Sequence, residues 1–405
     1  MEASLSGLRS THRSFDVTDT SSVASARRGA SEAGRAVAFD ETDLGRLSLV
    51  VTEASTNILK HAQHGEILVR VLPPDTVGDR AAGVEVIAID RGPGIPDVRG
   101  AFSDGRSTAG TSGTGLGAIR RLTDELSIWS QPAHGTVLRV VLRARGQGDA
   151  RRPPAASGID IGGICTCLPG EEVSGDAWGV DADQDGLTVT VADGLGHGPD
   201  AHVASSTAIE SVRRRVGRSP AVLMAAAHAA LHATRGAAVA IARFDFSRGR
   251  LAFSGIGNIA AVGYRIERPV LVASHPTPGV PGMPGAAGVS TTAGLTGSRS
   301  GVASSGSGSA AAEPERDSWQ LASRNGIVGH TMRDAQEFET SWPRDGMLVL
   351  HSDGIGTRWD LSVYPGLLLQ PSVIIAAVLY RDFCRRRDDA TVVIVKSEAP
   401  QALYS

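Results

Sequence analysis

The sequence predicts an α/β (α+β) chain in two unlike halves: a two-layer α/β sandwich, then sheets packed together with helices on their outer faces. Three observations carry this expectation. A polar stretch rich in Gly and Pro divides the chain after residue 145. Before it, helical periodicity is interleaved with a few strand-like runs, whereas after it strand-like runs crowd together with only three helical patterns. No internal repeat relates the halves, so each is read as its own fold.

In the first half, Leu44 to His61 carries apolar residues at helical spacing and reads as a long helix. Glu66–Leu72 and Val84–Asp90 read as strands, the second so continuously apolar that burial on both faces is expected. A glycine-rich loop at 110–117 leads into a helix over 116–126, and Ser127–Ser130 and Thr136–Arg143 read as closing strands joined by a turn at Pro132–Gly135. This gives a first domain at 10–145 and a linker at 146–157 within RGQGDARRPPAASG.

The second domain is expected over 158–398. Its strand-like runs are Gly158–Cys167, Leu187–Ala192, Ala237–Phe246, Arg250–Ser254, Met347–His351 and Thr391–Lys396, with helical patterns near 200–216, 219–234 and 370–385. Residues 275–316 have almost no large apolar side chains to offset the entropy of ordering and read as a disordered insert.

The 405 residues leave room for two or three cores, and a formal net charge of −3 gives no electrostatic reason to expect a nucleic-acid or anionic-membrane partner. No apolar run reaches the roughly 18–20 residues that would span a bilayer. The opening MEASLSGLRSTHRSFDV lacks the apolar stretch of a secretion signal. A cytoplasmic protein is expected. Cys165, Cys167 and Cys384 are sparse and odd in number, and the Cys-x-Cys pair lacks a second pair or nearby histidine, so reduced thiols are expected rather than a metal site.

Three clusters in the first half gain meaning if one ligand touches all of them. In LVVTEASTNILKHA (49–62), Glu53, Asn57 and His61 are spaced to share a helix face. A carboxylate and a carboxamide one turn apart can hold Mg²⁺ or its waters beside phosphates; alone, they are equally a solvated face. In DRGPGI (90–95), Asp90 at a strand end can accept from an exocyclic amine, and Gly92 and Gly94 admit a base without Cβ clash, although this is also an ordinary turn. In GTSGTGLG (110–117), Gly110, Gly113, Gly115 and Gly117 can turn backbone N–H groups toward phosphates at a helix start, but no Gly-Lys-Ser/Thr makes it a P-loop.

In the second half, carboxylates recur where apolar runs begin or end: Asp176 in VSGDAWG, Asp193 in VADGLGHGPDAH, Asp353 in LHSDGIGTRWD, and Asp388 with Asp389 in RRDDATVVIVK. Any one is most simply a turn. Four framed this way would meet at one rim of a sheet core, and such convergence is unfavourable unless cations neutralise it. Oxygen-only ligands point to Mg²⁺ or Mn²⁺ rather than zinc. His197 is either a proton donor to a leaving oxygen or a loop histidine.

The three N-terminal clusters, in this order, resemble the nucleotide boxes of the GHKL ATPase superfamily, and EASTNILKHAQHGE with GTGLGAIRRLTDELSIWS is most similar to its small serine-kinase anti-sigma branch, of the RsbT and RsbW type. The resemblance implies ATP with Mg²⁺ as ligand, Asn57 on the ion, Glu53 as general base or orienter of the attacking hydroxyl, Asp90 reading adenine, and the glycines closing over the phosphates. The acidic series resembles the PP2C-like phosphatases of the SpoIIE, RsbU and RsbX branch, an α-β-β-α sandwich. It implies two Mg²⁺ or Mn²⁺ ions, one held by Asp176, Asp193 and the Gly194 carbonyl, the other by Asp193, Asp353 and Asp388, with Asp389 where relatives often carry asparagine. GIGNIAAVGY (255–264) and SRNGIVGH (323–330) look like that family's core strands flanking the insert.

Together these resemblances imply a switch protein that phosphorylates and dephosphorylates Ser or Thr on a STAS-type regulator, an anti-sigma antagonist or stressosome-type protein, with a sigma factor or another phosphatase as further partners. The alternative is a phosphatase whose N-terminal domain binds ATP and docks partners without transferring phosphate.

Overall fold

The computed structural model describes residues 11–74, 81–102, 115–145, 158–266 and 318–397. The expected linker at 146–157 and insert at 275–316 lie outside the described residues.

The first sheet comprises β1 (Arg13–Val17), β2 (Gly65–Leu72), β3 (Gly83–Asp90), β4 (Glu125–Ser130) and β5 (Thr136–Arg143), antiparallel throughout in the order β1-β2-β3-β5-β4. With it come α1 (Thr20–Ala36), α2 (Glu41–Asn57), a single turn α3 (Val98–Ala101) and α4 (Gly115–Leu122). Side-chain caps start the two long helices: Asp19 accepts from Ser22 N at 2.8 Å and Asp40 from Asp43 N at 2.7 Å. Leu47, Val50, Val51 and Ala54 of α2 meet Ile67, Val69, Val84 and Val86 in one core. This is the expected two-layer sandwich.

Two local expectations change, and two elements are added. Strand β1 and helix α1 are additional to the expected elements, and the fully buried residues of α1 are all small: Ala26, Gly29, Ala30 and Gly34. Helix α4 stops at Leu122, not 126: Asp124 N donates to Val141 O at 2.9 Å, and Glu125 and Leu126 already pair with Val141 and Val140 in β4. Regular α-helix also ends at Asn57 and continues as a π turn, Ile58–Ala62, in which His61 is exposed and near enough to Asp90 to act on its carboxyl.

The second half holds β6 (Ile159–Thr166), β7 (Asp176–Ala182), β8 (Gly186–Gly194), α5 (Pro199–Arg213), α6 (Pro220–Leu231), β9 (Ala237–Asp245), β10 (Arg250–Ile256), β11 (Ala260–Arg265), β12 (Ser318–Leu321), β13 (Phe338–Ser341), β14 (Gly346–His351), α7 (Ser372–Phe383) and β15 (Ala390–Ser397). Two antiparallel sheets result, β13-β10-β9-β8-β7 and β12-β11-β14-β15-β6. Strict alternation builds the layers. Leu348, Leu350, Val393 and Val395 face Val189, Ala240 and Phe244 between the sheets. Val349, Val392 and Ile394 turn outward onto α7, while Val239 and Ile241 turn outward onto α5 and α6. The architecture is α-β-β-α. Residues 323–330, expected as strand, make only the isolated bridges Ile256↔Arg324 and Ala237↔Val328, because Gly326 and Gly329 take positive φ of 151° and 102°.

Helix α7 has a second neighbour. Every residue from Ser372 to Arg381 is buried, which an apolar helix needs on all sides. One side meets β6 and β15; the other packs with Leu68, Ile87, Ile89, Trp129 and Val137 from the outer face of the first sheet. The double burial expected of Val84–Asp90 thus comes from the other half of the chain. A polar seam runs alongside. Glu85 on β3 is fully buried between Arg70 (2.6 Å) and Arg139 (2.7 Å). Its ring neighbour His12 lies 3.3 Å away, and His12 N donates to Cys165 O of β6 at 2.6 Å.

Candidate functional sites

In the first half, the C-terminal part of α2, the turn after β3 and the first turn of α4 come together. A Cβ on Gly115 would stand 3.3 Å from Glu53 Oε2 and 3.4 Å from Asn57 Oδ1, so both polar ends face the start of α4. A Cβ on Gly92 would press on Ala62 at 2.7 Å. Gly92 N donates to Asp90 Oδ1 at 2.8 Å, which orients that carboxylate at the strand end. Burial raises the Asp90 pKa, against the Gly92 and Thr136 backbone donors. Gly94 has φ +74° against the Gln131 carbonyl, a place only glycine fills comfortably. Gly117 is buried inside α4 and serves packing. Gly113 lies outside the described residues.

In the second half, Asp176 opens β7 directly opposite Asp193 near the end of β8. Asp353 follows β14 and Asp388 precedes β15, strands paired through His351↔Val392, so both stand at one end of the second sheet. Their fields meet. Burial first, then Asp353, Asp388 and Asp389, push the Asp193 carboxyl up to about 7. Burial and then Asp193 push Asp176 well above the usual range, although Ser352 Oγ donates to its Oδ2 at 2.6 Å. Gly194 N donates to Gly175 O at 3.0 Å, locking the two loops.

Among the described residues, no three His, Cys, Asp or Glu side chains lie close enough to enclose one ion as they stand. Three of the four carboxylates are drawn to other partners: Asp353 to Asn258 Nδ2 at 2.7 Å, Asp388 to Asp389 N at 2.9 Å, and Asp176 to Ser352. The donor chemistry nonetheless fits a hard divalent cation, being oxygen alone with like charges raising one another.

Two further residues matter here. Asn258 bonds Asp353 and also lowers Asp193, placing an amide between two of the acids; it sat unremarked inside GIGNIAAVGY. Asp389 is 2% exposed and accepts from Leu168 N at 2.9 Å and Gly175 N at 2.8 Å, fixing the loop ahead of Asp176. His197 is exposed and paired with Glu171 at 2.7 Å. The cysteines are free thiols, with Cys165 buried and pushed up to about 12 by burial and then Asp176.

The histidine kinase-like ATPase domain family model matches residues 17–142, and that of Stage II sporulation protein E (SpoIIE) matches 183–293. Fold and sites thus set the chain among proteins that join a stretch similar to histidine kinase-like ATPase domains (17–142) to one similar to SpoIIE (183–293). The serine/threonine-protein kinase RsbT of Bacillus subtilis (strain 168) is 34% identical over 120 residues, 29% of this chain and 86% of the relative. The chain belongs to the RsbT family through its first half. Similar solved structures include one of the bacterial stressosome (21% identity, TM-score 0.44, 59% of this chain and 99% of that one). Another is RsbX in complex with magnesium (16%, 0.43, 59% and 94%). A third is the SpoIIE phosphatase domain with a regulatory fragment from Bacillus subtilis (14%, 0.39, 94% and 99%).

Proposed function

We propose that the chain is a two-way phosphorylation switch. Its first domain (10–145) transfers phosphate from ATP to Ser or Thr of a STAS-type regulator, and its second (158–398) removes such a phosphate. The convergence of four carboxylates from two sheets, with Asp193 raised to about 7 by burial and then by Asp353, Asp388 and Asp389, carries the hydrolytic half of this reading.

Asp176, Asp193 and the Gly194 carbonyl would hold one Mg²⁺ or Mn²⁺, and Asp193, Asp353 and Asp388 a second. Such ions neutralise a phosphoryl group and acidify water. Asp389 and Asn258 hold the loops that present these acids. In the first domain Asn57 would hold Mg²⁺, Glu53 would orient or deprotonate the attacking hydroxyl, and Asp90 would receive the adenine amine. Gly92, Gly94, Gly113 and Gly115 would leave room for base and phosphates, with Gly117 supporting from within α4. The partner is an anti-sigma antagonist or stressosome-type protein, with a sigma factor or second phosphatase as further partners, in the cytoplasm; no helix among the described residues is long and apolar enough to cross a membrane.

The test is phosphate release from a phosphorylated STAS protein, with and without ATP. Wild type should release phosphate and Asp193→Asn should not; equal rates would sink the metal assignment. A second reading, ATP binding and docking without transfer, draws support from the layer that α7 shares with the first sheet. Labelled transfer from ATP, present in wild type and lost in Glu53→Ala, would exclude it.

A further inference from the structure

From the segment joining α7 to β15, which carries the acids Asp388 and Asp389, we infer that Glu66 of the ATPase domain is a positioning residue for the acidic site of the phosphatase domain, acting through Arg386. This rests on the phosphatase reading above.

Glu66 lies on β2 and is 3% exposed. A buried carboxylate needs partners, and two of its three come from the other half of the chain: Tyr380 Oη donates to Oε1 at 2.8 Å and Arg386 Nη2 to Oε2 at 2.7 Å. The third, Ser14 Oγ, is a neighbour on β1. Arg386 stands two residues before Asp388 and holds a left-handed φ of +53°, strained for a side chain larger than glycine. The ion pair to Glu66 is the contact that keeps it there, with Asp16 a weaker second at 3.8 Å.

The same segment is laced to the other acidic turn. Arg385 N donates to Gly354 O at 2.9 Å and Gly356 N to Phe383 O at 2.8 Å, on either side of the Ile355↔Cys384 bridge. Residues 383–386 therefore touch the turn that carries Asp353 on one side and Glu66 on the other. Moving Arg386 moves both Asp353 and Asp388. Charge-assisted bonds of this kind are stronger than neutral ones, and partners one step removed from metal ligands commonly set affinity.

The test uses the full chain and Mn²⁺ alone as probe, read as the Mn²⁺ concentration that half-saturates the rise in melting temperature. Phosphate release from p-nitrophenyl phosphate is followed in parallel. Glu66→Gln keeps an acceptor for Tyr380 but removes the charge. It should raise half-saturating Mn²⁺ roughly tenfold, with kcat recovering at high Mn²⁺ and KM little changed. Arg386→Gln should match it, and the conservative Arg386→Lys should restore most of the affinity. Arg13→Gln, which breaks the exposed pair with Glu32 in the same domain, should leave Mn²⁺ affinity at the wild-type level. ATP-induced melting shifts report whether the first domain remains folded; if Glu66→Gln abolishes them, Arg386→Gln and Arg386→Lys decide, since they leave that domain's own residues intact. Unchanged Mn²⁺ affinity in a folded Glu66→Gln or Arg386→Gln overturns the inference while the phosphatase reading stands. A wild type that neither binds Mn²⁺ nor releases phosphate removes the phosphatase reading itself.

Discussion

At Asp193 chemistry and stability pull apart. Its folded pKa is raised from 3.8 to about 7, by burial and then by Asp353, Asp388 and Asp389. Between those values the folded chain holds a proton that the unfolded chain releases, so the group's contribution to stability falls as pH rises through 7. At pH about 8 in chelator, Asp193→Asn should be more stable than wild type by at least about 1 kcal/mol in urea denaturation, while losing metal-dependent phosphate release. His12 has the opposite sign. Burial and then Arg70 lower its pKa below the usual 6.5, so its Nε2–H donates to Glu85 as a neutral ring. Its contribution is intact above that value and is lost as pH falls below it, where the unfolded chain gains a proton. On going from pH about 7.5 to about 5.5, wild type should lose more stability than His12→Asn, by up to about 1.4 kcal/mol per pH unit. The acids were legible in the sequence because each stands at the end of an apolar run. Asn258 and the loop-fixing bonds of Asp389 were not, since an amide in a turn and a second aspartate carry no periodicity.

Elements were legible in proportion to their apolar pattern. Val84–Asp90 and Thr136–Arg143 stand out because both faces of their sheet are covered, whereas α1 buries only small residues, Ala26, Gly29, Ala30 and Gly34. The π turn after Asn57 leaves no trace in composition. The meeting of α2 with α4 yields a direct test. Gly115→Ala would place a methyl group 3.3–3.4 Å from Glu53 and Asn57. Alanine favours helix by about 1 kcal/mol over glycine, so the fold should hold or gain while ATP affinity falls. Calorimetric titration with ATP and a thermal melt separate the two; unchanged affinity would remove Gly115 from the nucleotide site.

Over the whole molecule, α7 is the wall that the two halves share. Leu68, Ile87, Trp129 and Val137 from one sheet and Val349, Val392 and Ile394 from another bury themselves on it. Removing one large side chain from such a layer costs about 2–5 kcal/mol. Leu379→Ala should therefore lower the stability of both halves together. In wild type, the melt seen by ATP-site probes should coincide with that seen at the tryptophans of the phosphatase half; two separated transitions would contradict the shared core. The helical pattern at 370–385 is apolar on every side from Val373 to Tyr380, which calls for burial all round, but nothing local names the first sheet as the second neighbour.

The position of that helix along the chain also shapes how the protein is made. The first sheet is complete once Arg143 has been synthesised, but the helix that covers its outer face ends only at Phe383. At elongation rates of about 5–20 residues per second, that interval lasts roughly 10–50 s. Throughout it a nascent sheet presents Leu68, Ile87, Ile89, Trp129 and Val137 to solvent, a sticky surface for which a ribosome-bound chaperone is the natural temporary cover.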